Sequence, residues 1–101
     1  EGLPALEAGL ARDYPFLAPE TVERVAKAYG TRARRWLRNA RSPGDLGTQF
    51  GHGLTSAEVD YLVAVEWART ADDVLWRRTK LGLRLDADQA AALARYMAER
   101  T

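Results

Sequence analysis

Apolar residues recur at helical spacing along almost the whole chain, and this pattern predicts a protein built from helices. The six predicted helices run over residues 4–13, from 19 to a stop at 30, and over 32–40, 56–68, 71–80 and 87–99. A strand-like pattern occurs only weakly, in LGLRL at residues 81–85. The chain therefore predicts an all-α fold, a single compact orthogonal bundle of about six short helices.

The predicted helix boundaries depend on local signals. Pro4 and Pro19 suit the first turn of a helix, and Tyr14 precedes a proline, which ends the first helix. Three further helices begin at a capping motif, in which a side-chain acceptor is followed three residues later by an acid or an amide. The pairs are Thr55 with Glu58, Thr70 with Asp73, and Asp86 with Gln89.

Residues 41–54 combine one proline with four glycines and predict a long loop between helices. This loop does not resemble a phosphate-binding loop, because no strand precedes it and the G-K-[ST] ending is missing. His52 lies in the loop without a serine or cysteine constellation around it, so we expect a solvated side chain rather than a catalytic one.

Composition narrows the possible functions. The 101 residues carry a net charge of +1, which gives no overall field for binding nucleic acid. The chain has no cysteine and one histidine, which excludes thiolate zinc sites and histidine clusters, so we expect no metal site. No apolar run is long enough to span a membrane. The sequence does not begin with methionine, and we expect it to be a piece of a longer protein.

Two charged residues fall in the middle of predicted apolar helix faces, Glu66 in the fourth helix and Arg78 in the fifth. A buried charge without a partner is costly, and the two helices are joined by a very short connection. We therefore predict a bidentate Glu66–Arg78 ion pair inside the contact between the helices. Arg77 and Lys80 fit ordinary helix electrostatics, with contact to an anion or to another domain as the alternative.

Five arginines lie within ten positions, and three of them, Arg34, Arg38 and Arg41, align on one side of the third predicted helix with Arg35 beside them. Trp36 lies roughly opposite Arg34 on this helix. The arrangement fits a helix that lies on an anionic membrane surface. It equally fits a surface helix that packs its tryptophan into the core.

The longest distinctive stretch is DLGTQFGHGLTSAEVDYLVAVEWARTADDVLWRRTKLGL, residues 45–83. Its elements AEVDYL and EWARTADDVLWRRTKLGL, with the weaker upstream YPFL and AYG, resemble the C-terminal domain of FAD-dependent glycerol-3-phosphate dehydrogenase of the aerobic, respiratory type. The resemblance implies a parent enzyme of glycerol metabolism that oxidises sn-glycerol 3-phosphate to dihydroxyacetone phosphate and passes electrons through FAD to the quinone pool. A related oxidase type passes electrons to oxygen, and this domain does not distinguish the two.

For this chain the resemblance implies a single all-α accessory domain over residues 1–101 that follows the FAD-binding and substrate-binding portions of a longer flavoenzyme. The family's flavin-binding G-x-G-x-x-G motif and its substrate-contacting residues lie in those earlier portions. We therefore expect no catalytic and no cofactor-binding residue here. The expected partners are those earlier portions, a second copy of the parent in a homodimer, and the cytoplasmic face of the inner membrane, where the parent is peripheral. The alternative is an independent helical module that docks on a protein or an anionic membrane through residues 32–41.

Overall fold

The computed structural model describes residues 2–100, and most of them lie in helices. In chain order the elements are α1 (Leu3–Asp13), α2 (Pro19–Tyr29), a 3₁₀ helix (Gly30–Ala33), α3 (Arg34–Leu37), a second 3₁₀ helix (Pro43–Leu46), β1 (Gln49–Gly51), β2 (Leu54–Thr55), α4 (Ser56–Val65), a π-helical turn (Asp73–Arg78) and α5 (Ala87–Arg100). The predominance of helix confirms the predicted fold class. The number of helices and several boundaries differ from the prediction.

Two of the three predicted capping motifs are formed. The Thr70 hydroxyl accepts from the Asp73 N–H at 3.2 Å, and the Asp73 carboxylate accepts from the Thr70 N–H at 3.2 Å. Asp86 and Gln89 exchange the equivalent bonds at 2.8 and 2.9 Å at the start of α5. These reciprocal bonds satisfy N–H groups that the first turn of a helix leaves without a partner.

The helix predicted over residues 32–40 is wrong in extent. Gly30 has a φ of 57°, which ends α2, and the chain restarts as a 3₁₀ helix before one turn of α-helix. Arg38, with a φ of 50°, ends α3 directly after Leu37. The Tyr14 hydroxyl donates to the Arg38 carbonyl at 2.5 Å, so a tertiary contact fixes this early stop.

The region predicted to be a long loop between helices contains an antiparallel hairpin. β1 pairs with β2 through a two-residue turn at His52 and Gly53, whose φ angles are 51° and 82°. Positive φ at both central residues is what the tight I′ hairpin turn requires. A side chain at Gly53 would overlap Thr21 of α2, so glycine is also needed for the close packing of the hairpin on that helix.

The fifth predicted helix is mostly a π-helical turn. The Thr79 N–H donates to the Val74 carbonyl at 2.8 Å, five residues back, and the Thr79 hydroxyl donates to the same carbonyl at 2.7 Å. Widened turns of this kind are uncommon and often mark functional regions.

One hydrophobic core joins the elements. Its largest fully buried apolar side chains come from α2, α3, β2, α4, the π-helical turn and α5: Val25, Leu37, Leu54, Val59, Leu62, Val74 and Leu93. Phe50 of β1 also packs edge-to-face on Tyr96 of α5, with ring centroids 5.4 Å apart. The hairpin therefore closes the core against the last helix.

Candidate interdomain surface and its supporting network

The most buried charged group is Glu58 of α4, whose exposed fraction is 0%. The Arg24 guanidinium of α2 binds both carboxylate oxygens, at 2.7 and 2.9 Å, and the Tyr29 hydroxyl donates to the carboxylate at 2.6 Å. Arg24 also donates to the Gly53 carbonyl at 3.4 Å. Two-pronged arginine–carboxylate contacts are among the strongest side-chain hydrogen bonds. The network fastens α2, α4 and the hairpin together.

The charges of Arg24 and Glu58 neutralise each other, so this network serves to hold the fold together. Burial by itself lowers the pKa of Arg24, but the charge of Glu58 and the hydrogen bonds to it raise that pKa above its usual value. Burial, with the adjacent Glu58 charge, raises the pKa of Tyr29 well above its usual range. The phenol therefore stays protonated and donates to the carboxylate.

The predicted Thr55–Glu58 capping motif is wrong. Thr55 is the N-terminal flanking residue of α4, but no side-chain capping bond forms there. Its hydroxyl is buried without a hydrogen-bond partner among the described residues. Glu58 instead turns into the core, because Arg24, 34 positions earlier in the chain, lies opposite it. The three-residue spacing of Thr55 and Glu58 predicted a cap from neighbouring residues alone, and it could not indicate that the distant Arg24 binds Glu58.

Glu66 and Arg78 do lie together. Their side chains approach to 3.5 Å, and Arg78 also donates to the Glu66 main-chain carbonyl at 2.7 Å. Arg32 shares the Glu66 carboxylate at 3.1 Å. The expected burial is wrong, because the Arg78 side chain is 42% exposed. The pairing also differs from the expected two-pronged contact with the carboxylate, since the short hydrogen bond of the guanidinium goes to the main-chain carbonyl of Glu66. Since α4 ends at Val65 and Arg78 closes a π-helical turn, a regular α-helical wheel misplaces both residues.

The other predicted surface residues lie on the outside of the domain. Arg77 is exposed with its nearest carboxylate, that of Asp73, at 4.0 Å. Lys80 is exposed and has a φ of 61°, a conformation that residues other than glycine adopt rarely. Lys80 forms no ion pair within residues 2–100.

The arginines of residues 34–41 are exposed, but the tryptophan beside them is not. Arg34 pairs with Asp13 of α1 at 2.7 Å. Trp36 is buried and packs edge-to-face on Tyr29 with ring centroids 5.4 Å apart. The structure therefore agrees with the core-packing interpretation of Trp36. Arg35, Arg38 and Arg41 are exposed, and we call these three residues the basic strip. Their predicted alignment on one side of a helix is wrong, because α3 ends at Leu37 and leaves Arg38 and Arg41 outside it.

Large apolar side chains reach solvent in one part of the chain, which sequence reasoning did not single out. Within residues 2–100, the largely exposed ones all fall in residues 65–83, which we call the tryptophan segment. They are Val65 (46% exposed), Trp67 (75%), Trp76 (52%) and Leu83 (90%). The apolar spacing of residues 56–68 predicted a helix that included Trp67, and it could not show that α4 ends before this residue.

A cleft of about 630 Å³ adjoins the tryptophan segment, lined in part by Lys27, His52, Lys80 and Arg84. His52 and Lys80 both have left-handed backbone conformations. Glu20 and Glu23 lie on the same walls, so the cleft has charges of both signs. Within residues 2–100, no group of acids and histidine has a spacing suited to a metal ion.

Comparison with known protein families shows which family the chain belongs to. The model of the C-terminal domain of alpha-glycerophosphate oxidase matches residues 1–100 of this chain. The chain belongs to this family. The membership confirms the resemblance seen in the sequence, and the matched residues include both Arg24 and Glu58.

Several longer enzymes are similar to this chain over most of its length. The aerobic glycerol-3-phosphate dehydrogenase of Escherichia coli strain K12 is 46% identical over 94 residues, which are 93% of this chain and 19% of that protein. The glycerol-3-phosphate dehydrogenase of Pseudomonas aeruginosa PAO1 is 44% identical over 97 residues, 96% of this chain and 19% of that protein. The D-erythritol 1-phosphate dehydrogenase of Brucella abortus strain 2308 is 40% identical over 83 residues, 82% of this chain and 16% of that protein.

The chain thus spans about a fifth of the length of the first relatives. Relatives with this family domain are named for two different polyol phosphates. No helix within residues 2–100 has the length and apolar character needed to cross a bilayer.

Proposed function

We propose that this chain is the non-catalytic C-terminal domain of a longer flavoenzyme that oxidises sn-glycerol 3-phosphate to dihydroxyacetone phosphate, with electrons passing through FAD to quinone. The observation that carries the proposal is the family match over residues 1–100, combined with relatives in which this region is only 19% of the protein. Flavin chemistry needs a large site that orients the cofactor against the substrate, and the earlier four-fifths of such a protein would supply it.

The most buried charged network of the described residues supports an accessory role. Arg24, Glu58 and Tyr29 satisfy one another, so their chemistry is used in holding α2 against α4. A general base must instead reach a proton of the substrate with its own lone pair. Substrate choice between a glycerol and an erythritol phosphate would then belong to the rest of the parent.

The test uses the complete open reading frame that contains these residues. We expect the purified protein to carry the visible absorption of a flavin and to reduce a quinone analogue when glycerol 3-phosphate is added. Erythritol 1-phosphate serves as the competing substrate, and hydrogen peroxide production distinguishes the oxidase type. A complete protein without bound flavin, or without turnover of either polyol phosphate, would contradict the proposal.

Attachment of the parent to the cytoplasmic face of the inner membrane, and its homodimer, belong to the same proposal. The exposed basic strip of Arg35, Arg38 and Arg41, with Arg34 beside it, is the candidate membrane contact. Sedimentation of the complete protein with anionic liposomes should weaken when these four arginines are changed to glutamate. Equal sedimentation of both proteins would exclude the strip.

A further inference from the structure

We propose that the tryptophan segment, residues 65–83, is the surface through which this domain docks on the remaining part of its own polypeptide. The inference rests on the proposed function, since it requires a parent chain. It adds the location of the contact, which neither the family match nor the relatives' names specify.

The first support is the concentration of exposed apolar surface. Trp67, Trp76 and Leu83 are each at least half exposed within a span of 17 positions. Tryptophan and arginine are the residues most enriched among the energetically important contacts of protein interfaces. The exposed Arg69 and Arg77 lie in the same segment. The composition is that of an interface core with a polar rim.

The second support is the backbone at Trp67. This residue directly follows the α4 boundary at Glu66 and has a φ of 66°, a conformation that glycine normally supplies at this position. A bulky residue there strains the backbone, and such strain clusters at functional positions. Because the ring is 75% exposed, packing within the domain does not offset this strain.

The third support is the presentation of Trp76. It lies in the π-helical turn, and its ring covers Gly82 so closely that a side chain at residue 82 would overlap it. The Gly82 N–H donates to the Leu75 carbonyl at 3.1 Å, which holds the glycine under the ring. An uncommon helical turn and a glycine platform thus hold a tryptophan that remains 52% exposed.

Contacts of Arg78 with Glu66 connect the residues that lie beside the two tryptophans. Arg78 joins the end of the π-helical turn to the end of α4 through the Glu66 side chain and main chain. The two tryptophans are therefore held by one connected structure. A preorganised surface loses less entropy on binding than a flexible one.

The occupant that fits best is the rest of the parent. In the Escherichia coli relative, the matched region is 19% of the protein, so roughly four-fifths of that polypeptide lies outside it. A covalently linked partner is present at an effective concentration of about millimolar, independent of dilution. A membrane anchor usually presents a continuous amphipathic helix, whereas Trp67 lies outside any helix and Trp76 lies in a six-residue turn.

The test measures thiol labelling in the complete protein. This chain has no cysteine of its own, so Leu83→Cys introduces a thiol at the most exposed large apolar side chain of the described residues. Ala91→Cys places a matched thiol at an exposed position of α5, outside the segment. Labelling of each site by a maleimide is followed by mass spectrometry of the peptide that contains it, in native protein and in urea, so that intrinsic reactivity cancels.

We expect the native Leu83→Cys site to be labelled at least about tenfold more slowly than the Ala91→Cys site after this correction, at every protein concentration and without lipid. The proposal is overturned if the two sites label alike. It is also overturned if protection disappears on dilution, which indicates a second copy, or if it requires anionic vesicles, which indicates a membrane. Trp67→Cys repeats the measurement at the other end of the segment.

Flavin content and glycerol 3-phosphate turnover of the same preparations separate the two proposals. An active flavoprotein with a freely labelled Leu83→Cys site contradicts the docking surface alone. A protein with a protected site and no flavin contradicts the proposed function alone.

Discussion

Removal of the Arg24 guanidinium should be among the most destabilising single changes in this domain. Arg24→Met keeps most of the aliphatic stem but leaves the Glu58 carboxylate, 0% exposed, with the Tyr29 hydroxyl as its remaining side-chain partner. Loss of one partner from a buried pair costs about 3–5 kcal/mol. Since the whole stability of a domain of this size is roughly 5–15 kcal/mol, the variant should lose a large part of its stability.

The assay is urea denaturation at pH 7 followed by circular dichroism. With a slope of about 1–3 kcal/mol per molar urea, we expect the midpoint to fall by about 2 M. The matched control is Arg78→Met, which removes an arginine from a surface ion pair with Glu66 and should cost about 1 kcal/mol or less.

A second variant tests whether the cost comes from the stranded carboxylate. In Arg24→Met/Glu58→Leu both charges are replaced by apolar groups, so the stranded carboxylate is gone and stability should return part of the way toward that of the parent sequence. The return is partial because the buried Tyr29 hydroxyl loses its acceptor. The reasoning is refuted if Arg24→Met costs no more than Arg78→Met. It is also refuted if the double variant is no more stable than Arg24→Met alone.

Three further changes test other parts of the structure. Folding raises the pKa of Tyr29, so the protonated phenol stabilises the folded state fully below its unfolded pKa of about 10, and this stabilisation is lost as the pH rises above that value. Tyr29→Phe should reduce stability at pH 7 by about 1 kcal/mol. In thermal melts over a pH series, the variant should also show a smaller loss of stability at alkaline pH. Trp67→Gly should raise the urea midpoint, since it relieves a left-handed conformation worth roughly 1 kcal/mol at an exposed side chain, and a lower midpoint would contradict the strain. Gly82→Ala should displace the Trp76 ring, destabilise the domain by about 1–3 kcal/mol and change the tryptophan fluorescence. Gly82→Ala/Trp76→Ala should remove the clash. Unchanged fluorescence in the single variant would refute the contact.

Local signals predicted the parts of the fold that depend on neighbouring residues. The Thr70–Asp73 and Asp86–Gln89 motifs form as expected, because both partners lie within one helical turn. The same rule failed at Thr55, because its acidic partner Glu58 has a stronger competitor in Arg24. A capping bond is worth about 1 kcal/mol, and a buried two-pronged ion pair controls considerably more.

The candidate surface was only partly visible in the sequence. Residues 66–83 stood out as a family signature, and Glu66 and Arg78 lie together as their positions suggested. Their exposure was predicted wrongly, since a wheel with regular α-helical geometry does not describe a chain that leaves α4 at Glu66 and then forms a π-helical turn. The outward direction of the two tryptophans follows from these irregularities.

The sequence by itself determined the helical class, the family and the capping of two helices, because periodicity, motif spelling and short-range hydrogen bonds are all local properties of a chain. Tertiary structure alone decided the early stop at Arg38, the hairpin inside the predicted loop and the burial of Glu58. Each of these depends on a contact between residues far apart in sequence, such as Tyr14 with Arg38 and Arg24 with Glu58. Such contacts override local preference when they satisfy a buried polar group, since leaving that group without a partner would cost more than the local preference is worth.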